Sequence, residues 1–364
     1  MIPTLDHVHK VFLVGRIENV GKAEYYGPHF ARQLWNFGMR LIVHSAAIFS
    51  SINIHDFLVL MLQKMTSQRR DQLPSSLIPK TYRLNLSPDL ERFVFSGEEE
   101  IDLYINEDPS KITRIVANSK ELSISDAYLM IKNHQVAFKH IGFDLEMDLV
   151  MFELDQPLDQ IISSLGISEV VDVVTLHIRY SGELNDKLCG WYRSKSVRDG
   201  VETYSAVTQF QSSDARRAFV CFDDPGFKAV FEISLVADTT HKALSNMHVM
   251  EEVDLDGSKR LYKFAPTPPM STYLVAFIVG DYDYVETICT ETQRPIPIRI
   301  YTPVGKREQG LFSLDITAKV LPLFEKYFEI PYPLTKLDLV AVSQLSFGGM
   351  ENYGLITYVT LSIY

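Results

Sequence analysis

Near the C-terminal end of the sequence, Gly348, Gly349, Met350, Glu351 and Asn352 stand together and run into Tyr353-Gly354-Leu355-Ile356-Thr357-Tyr358. Adjacent glycines let another backbone come close. A carboxylate beside them can meet a cation. The β-prone residues that follow supply an edge onto which an extended peptide can be added. The chemistry open to this combination is recognition, the docking of a peptide backbone with one charged reader. The same residues also fit a glycine-bulged strand with a surface Glu, and the stretch alone leaves both readings open.

A second polar concentration lies at 206–228, AVTQFQSSDARRAFVCFDDPGFK. Arg216 and Arg217 among Asp214, Asp223 and Asp224 fit a structural ion-pair network, because charges beside so many phenylalanines must be paired. The functional alternative is that Gln209 and Gln211 face a pocket and read a ligand. Neither stretch brings a catalytic centre. A catalytic zinc calls for His and carboxylate ligands at fixed spacing, such as H-E-x-x-H on a helix. That motif is absent, and no His follows His248. There is no G-x-S-x-G elbow and no G-x-x-x-x-G-K-[ST] phosphate loop. No catalytic residue and no metal ligand is assigned.

The elements that would position these residues are mostly strands. Tyr82, Leu84 and Leu86 alternate with polar residues, and so do Ile101, Leu103 and Ile105, which is the period of half-buried strands. Further strands are expected at 114–117, 128–131, 149–154, 173–180, 203–208, 229–236, 260–264, 273–279 and 298–301. The first convincing helix spans 308–328, with Leu311, Leu314, Ala318, Leu321 and Phe328 close to one face. Pro322 is expected to break or kink it. A buried strand at 338–342 precedes the glycine-rich stretch. Residues 1–70 hold half of the ten histidines and read as an extension of uncertain order. Their apolar run at 41–62 carries Asp56, which argues against a membrane span.

The 364 residues allow two or three domains at about 150 residues each. A net charge of −11 disfavours nucleic-acid and membrane partners. Three cysteines with no C-x-x-C spacing fit a reducing, cytoplasmic compartment, although one disulfide and a free thiol would also satisfy the count.

Five runs in order carry a family resemblance: SGELNDK with GWYRSK at 181–195, the 206–228 stretch, PMSTYLVAF at 269–277, YTPVGK at 301–306, and GGMEN at 348–352. Together they resemble the zinc aminopeptidases of the aminopeptidase N type. The resemblance implies that Glu351 pairs with the free α-ammonium of a peptide. It implies that Gly348, Gly349, Met350 and Asn352 complete that motif, the first three offering backbone to the peptide. Gln209 would line the first substrate pocket. Gln211 stands where the family usually has a second acidic reader of the amine, and Gly349 replaces the commoner Ala.

The implied fold is mostly β. A saddle-like or sandwich β domain at 71–280 is followed by the first strands and helix of a thermolysin-like α+β domain at 281–364, truncated. Zinc is the family's cofactor, but the motif that binds it is missing here: after Tyr358 the family continues into a helix bearing H-E-x-x-H, and this sequence does not. The expectation is therefore the N-terminal portion of a metalloaminopeptidase that takes peptides with a free N-terminal amine and is inactive alone. A catalytically dead peptide-binding or regulatory protein is the alternative, and a hydrolase using another centre a third reading.

Overall fold

A computed structural model of the chain describes residues 72–198 and 200–360. The extension expected at 1–70 lies outside the described residues, as does the apolar run at 41–62. The described residues fall within one compact unit, Asp71–Tyr364.

Alternation builds the first layers. Strands β1 (Leu77–Asp89) and β2 (Val94–Ile105) pair antiparallel along their whole lengths. Tyr82, Leu84 and Leu86 face the core from β1, and Phe95, Ile101 and Leu103 from β2. Then come β3 (Arg114–Asn118), β4 (Leu122–Ile131), β5 (His134–Ala137), β6 (His140–Asp144), β7 (Leu149–Glu153), the short helix α1 (Leu158–Ser164) and β8 (Val173–Glu183). A hairpin of β9 (Gly190–Arg198) and β10 (Val201–Gln209) follows, then β11 (Val230–Asp238), β12 (Lys242–Ser245), β13 (Val249–Asp254), β14 (Lys259–Phe264) and β15 (Phe277–Gly280).

These strands make an eight-stranded sheet in the order β13-β14-β11-β1-β2-β8-β4-β5, a four-stranded sheet β12-β15-β10-β9 and a three-stranded sheet β3-β7-β6. The large aromatic core, with Tyr82, Phe95, Trp191, Phe219, Phe231 and Phe277 fully buried, serves the eight- and four-stranded sheets together.

The chain leaves the four-stranded sheet after Gly280 and starts another. Strands β16 (Tyr282–Cys289) and β17 (Ile296–Pro303), helix α2 (Leu311–Phe328), β18 (Leu337–Val342), β19 (Gly349–Met350) and β20 (Leu355–Val359) follow. The sheet order is β16-β17-β18-β20-β19, with β17, β18 and β20 parallel. Its two faces go to different partners. Tyr301, Val340, Val342 and Leu355 pack on Tyr192, Val207, Leu244 and Ile278 of the four-stranded sheet. Ile298, Ile300, Leu339 and Ala341 pack under Leu314 and Leu321 of α2. The outer side of α2 leaves Phe312, Ile316, Leu323, Phe324, Tyr327 and Phe328 exposed. The mostly-β architecture with the start of a mixed α and β domain is as the sequence implies.

Two local expectations differ. Helix α2 runs unbroken through Pro322, so the break is not there. Proline has no N–H to give the carbonyl one turn back, and the Cys289 thiol donates to that carbonyl, Ala318 O, at 3.4 Å. The strand expected at 273–279 starts only at Phe277. Before it, Thr272–Leu274 form a 3-10 turn in which Leu274 and Val275 donate to Ser271 O and Thr272 O, each at 3.1 Å. The run from Leu274 to Val279 is buried on every side, so its sequence carries no period to separate turn from strand.

One inward position of β2 is charged. Glu99 shares the buried face with Ile101 and is fully buried. Its Oε1 accepts from the Val220 N–H at 3.2 Å, and Oε2 has no partner among the described residues. Burial pushes this carboxyl well above the ordinary range, against the pull of the Val220 amide. The folded state therefore keeps a proton that the unfolded state releases, and stability declines as pH rises from the ordinary carboxylate range through the raised folded value. Glu99→Gln removes that decline. Thermal melts should show the variant more stable than the parent at about pH 8, with the difference shrinking toward about pH 4.

Candidate functional site

Strand β19 is the outermost strand of its sheet and has only two residues. Gly349 pairs with Tyr358 and Met350 with Thr357 on β20, while Val359 N donates to Gly348 O at 3.2 Å. Its other edge pairs with no strand among the described residues, so the backbone there is open to an added strand. A Cβ at Gly349 would stand 2.7 Å from Tyr358 Cδ1 and 3.2 Å from Thr357 O, so glycine lets the Tyr358 ring lie against it. Around Gly348 a Cβ would meet nothing within 4 Å. Of this adjacent pair, only Gly349 is therefore a close-approach glycine.

The next three residues separate sharply by environment. Met350 is buried in the large core, which anchors β19. Glu351 is exposed and makes no hydrogen bond or ion pair among the described residues. Asn352 is buried, and its Nδ2 donates to Leu355 O at 3.2 Å while Leu355 N donates to Asn352 O at 3.2 Å. Asn352 thus closes the turn behind Glu351.

Three polar groups that sequence reasoning did not single out hold this turn in place. Lys336 is only 3% exposed, yet its Nζ has three acceptors: Ser245 O at 2.7 Å, Gly354 O at 2.6 Å and Asp338 Oδ2 at 2.7 Å. Burial draws its pKa down, and the Asp338 carboxylate works the other way. Asn246, fully buried, donates from Nδ2 to Leu274 O at 2.9 Å and to Tyr353 O at 2.8 Å, and accepts from Ala276 N at 2.9 Å. A Cβ at Gly354 (φ +69°) would come within 2.2 Å of Asn246 O, so glycine is required there for both reasons. Gln344, upstream of the glycines, accepts on its backbone O from the Tyr192 hydroxyl at 2.7 Å and on Oε1 from Lys195 N at 2.9 Å. The signal for Lys336 was present in the sequence: Lys336 stands two residues before Asp338, the one charged residue of an otherwise apolar strand.

Gln209 ends β10, 1% exposed, and neither atom of its side-chain amide has a hydrogen-bond partner among the described residues. An unpaired buried amide costs about 1–3 kcal/mol. Gln211 lies two residues on, exposed, with no hydrogen bond or ion pair joining it to Glu351. The charged residues between them and Lys228 form the expected network. Arg216 Nε donates to Asp223 Oδ2 at 2.9 Å, Arg217 Nε to Asp214 Oδ1 at 2.7 Å, and Arg217 also pairs with Glu121. Asp224 caps its own turn through Gly226 N at 2.8 Å.

Among the described residues no group of three or more His, Cys, Asp or Glu is arranged to hold a metal ion. The described residues do not fit a zinc site. Cavities of about 450, 480 and 460 Å³ lie elsewhere on the surface. No helix among the described residues is long and apolar enough to cross a membrane.

The Peptidase M1 N-terminal domain matches residues 78–274, and the Peptidase family M1 domain matches residues 312–364. The chain is 40% identical over 299 residues to Aminopeptidase 2 of Candida albicans, covering 82% of this chain and 30% of that protein. It is 42% identical over 293 residues to Aminopeptidase M1 of Arabidopsis thaliana, covering 79% and 31%. It is 36% identical over 296 residues to the Puromycin-sensitive aminopeptidase of Caenorhabditis elegans, covering 80% and 29%. The chain thus spans about 30% of the length of the curated relatives it matches.

The buried Lys336 pair gives a direct test of how the turn is held. Lys336→Met strips Asp338 of its counter-charge inside the protein, and urea unfolding should show a loss of about 3–5 kcal/mol. Adding Asp338→Leu should recover part of that loss, because it removes the unpaired charge.

Proposed function

The chain belongs to the peptidase M1 family, and from that membership we propose that it is the N-terminal portion of a metalloaminopeptidase that releases N-terminal residues from peptides. On this reading the described residues read the peptide and do not cut it. The observation that carries it is Glu351: an exposed, unpaired carboxylate at the exit of an edge strand, with its flanks Met350 and Asn352 both buried and fixed. A carboxylate held this way meets the α-ammonium of a peptide added alongside β19. Gln209 supplies a desolvated amide to the first side-chain pocket. Gln211 can accept from the ammonium but brings no charge.

Hydrolysis needs a metal-bound water or another activated nucleophile, and the H-E-x-x-H motif is absent from this sequence. We therefore propose that this chain is inactive alone, and that zinc belongs to the larger family enzyme. The exposed apolar side of α2 supports further chain packing there, since so many large apolar groups rarely stay open on a finished surface. The division near residue 280 follows the change of sheet. Three free thiols, Cys189, Cys221 and Cys289, support a reducing, cytoplasmic setting. A peptide-binding protein without hydrolytic activity is the second reading, favoured by an edge held entirely through contacts within this chain.

Calorimetry with a free-amine tripeptide and its N-acetylated twin tests the amine-reading role. Tighter binding of the free amine is expected. Glu351→Ala should reduce that preference by about 1 kcal/mol, as suits an exposed ion pair. Equal affinity for the two peptides in the parent protein removes the proposal. Gln211→Glu adds the missing charge and should strengthen free-amine binding severalfold, leaving the acetylated peptide unaffected.

A further inference from the structure

One of the surface cavities, about 460 Å³, is lined by basic side chains and no carboxylate. His248 reaches it from the link between β12 and β13. Arg294 and Arg299 come from the β16–β17 hairpin, and Thr335 and Lys336 from the approach to β18. The chain as a whole carries a net charge of −11, so this wall runs against its average. Lys336 contributes least to it. Its donors are all taken, and Asp338 answers its charge.

Arg294 is held in place without being neutralised. Its Nη2 donates to Pro333 O at 2.7 Å, Leu334 O at 2.8 Å and Tyr332 O at 3.3 Å. Among the described residues it has no ion pair, and its Nε and Nη1 have no acceptor. The backbone beneath is fixed. Thr292 Oγ1 donates to Arg294 O at 2.8 Å and to Cys289 O at 3.1 Å, and Pro295 and Pro297 allow little movement in φ. Arg299 Nε donates to Glu286 Oε2 at 3.0 Å, and its guanidinium lies 5.7 Å from the centroid of the Tyr284 ring. His248 Nδ1 and Thr335 Oγ1 stand 2.6 Å apart. If Nδ1–H is the donor, the Thr335 hydroxyl keeps its own proton to give. If the hydroxyl is the donor, the imidazole carries its proton on Nε2. In both cases the pair has one donor left over.

We propose that this cavity binds a phosphate group. The donors come from three separate stretches of chain, and a tetrahedral oxyanion has an oxygen for each, whereas a planar carboxylate has only two. The bonds would be charge-assisted. They would cost little ordering, because the Arg294 guanidinium and the Thr335–His248 pair are already held. A free phosphate and a phosphate monoester share this chemistry, with Pro295 and Pro297 as the apolar wall that the organic part of an ester would meet. The occupant would tie His248 of the β domain to Arg294 and Thr335 of the part that follows it. The site is independent of Glu351 and of the amine-reading role.

The test is calorimetry on the full 364-residue chain at low ionic strength, with inorganic phosphate, glycerol 3-phosphate and acetate as probes. Saturable phosphate binding is expected, weakened by added salt, with acetate clearly weaker. Arg294→Gln should weaken phosphate binding by about tenfold, as for loss of a hydrogen bond between charged groups. Because Arg294 also holds the carbonyls of Tyr332, Pro333 and Leu334, His248→Glu is the second variant. It changes an exposed residue, leaves those carbonyls alone and sets a carboxylate on the wall, so phosphate binding should be lost while the melting temperature without phosphate stays at the parent's. Arg92→Gln, outside the cavity, should bind like the parent. Tighter binding of glycerol 3-phosphate than of phosphate supports the site and identifies a monoester as its ligand; equal binding supports it and identifies the free ion. Absence of saturable phosphate binding overturns the proposal. So does parental affinity in either cavity variant, or acetate binding as tightly as phosphate.

Discussion

A single buried ammonium group sets where the glycine-rich edge can be. Lys336 has three donors and spends each on one acceptor: a carboxylate two residues on in β18, a carbonyl from β12 and a carbonyl from the turn after Glu351. A buried charge is tolerated only with this degree of satisfaction. The three acceptors come from three separate stretches of chain, so their relative positions are fixed together. Asn246 repeats the arrangement with an amide, and Gly354 exists as glycine because the Asn246 carbonyl stands where a side chain would begin. The exposure of Glu351 is therefore imposed from the β domain, which holds the residues on both sides of it.

Much of the fold was legible because one face of most strands is wet. Along β1, Arg83 points outward between Tyr82 and Leu84, and the period of two is plain. Legibility ended where both faces are covered. From Leu274 to Val279 every residue is buried, and turn and strand look alike in sequence. Pro322 misled for another reason. The carbonyl it leaves unserved is taken up by the thiol of Cys289, far away in sequence and adjacent only after β16 and α2 have packed. Glu99 shows the opposite limit: the alternation of β2 puts a carboxyl on the inner face, and only the packing shows that it stays there without a counter-charge.

The candidate site divides along the same line. The glycines, Met350, Glu351 and Asn352 are contiguous, so their grouping could be read directly. Their roles could not. One glycine is demanded by the Tyr358 ring and the other by no contact, and Asn352 turns inward to hold the chain. Gln209 was singled out, but the lack of any partner for its side-chain amide among the described residues is a property of the folded interior. Asn246 and Gln344 act across long sequence separations, where spacing carries no information.

The parallel pairing of β1 with β11 has a consequence for how the domain is made. Strand β1 is the first of the described strands, yet one of its two neighbours in the eight-stranded sheet is β11, far downstream. Its other neighbour, β2, waits in turn for β8. Contacts of such long range form slowly, since loop closure comes before any packing gain. During synthesis the β1–β2 hairpin must persist with an open, apolar inner face until its partners emerge from the ribosome. That interval is when the nascent chain is most exposed to mispairing with other strands and most dependent on chaperones.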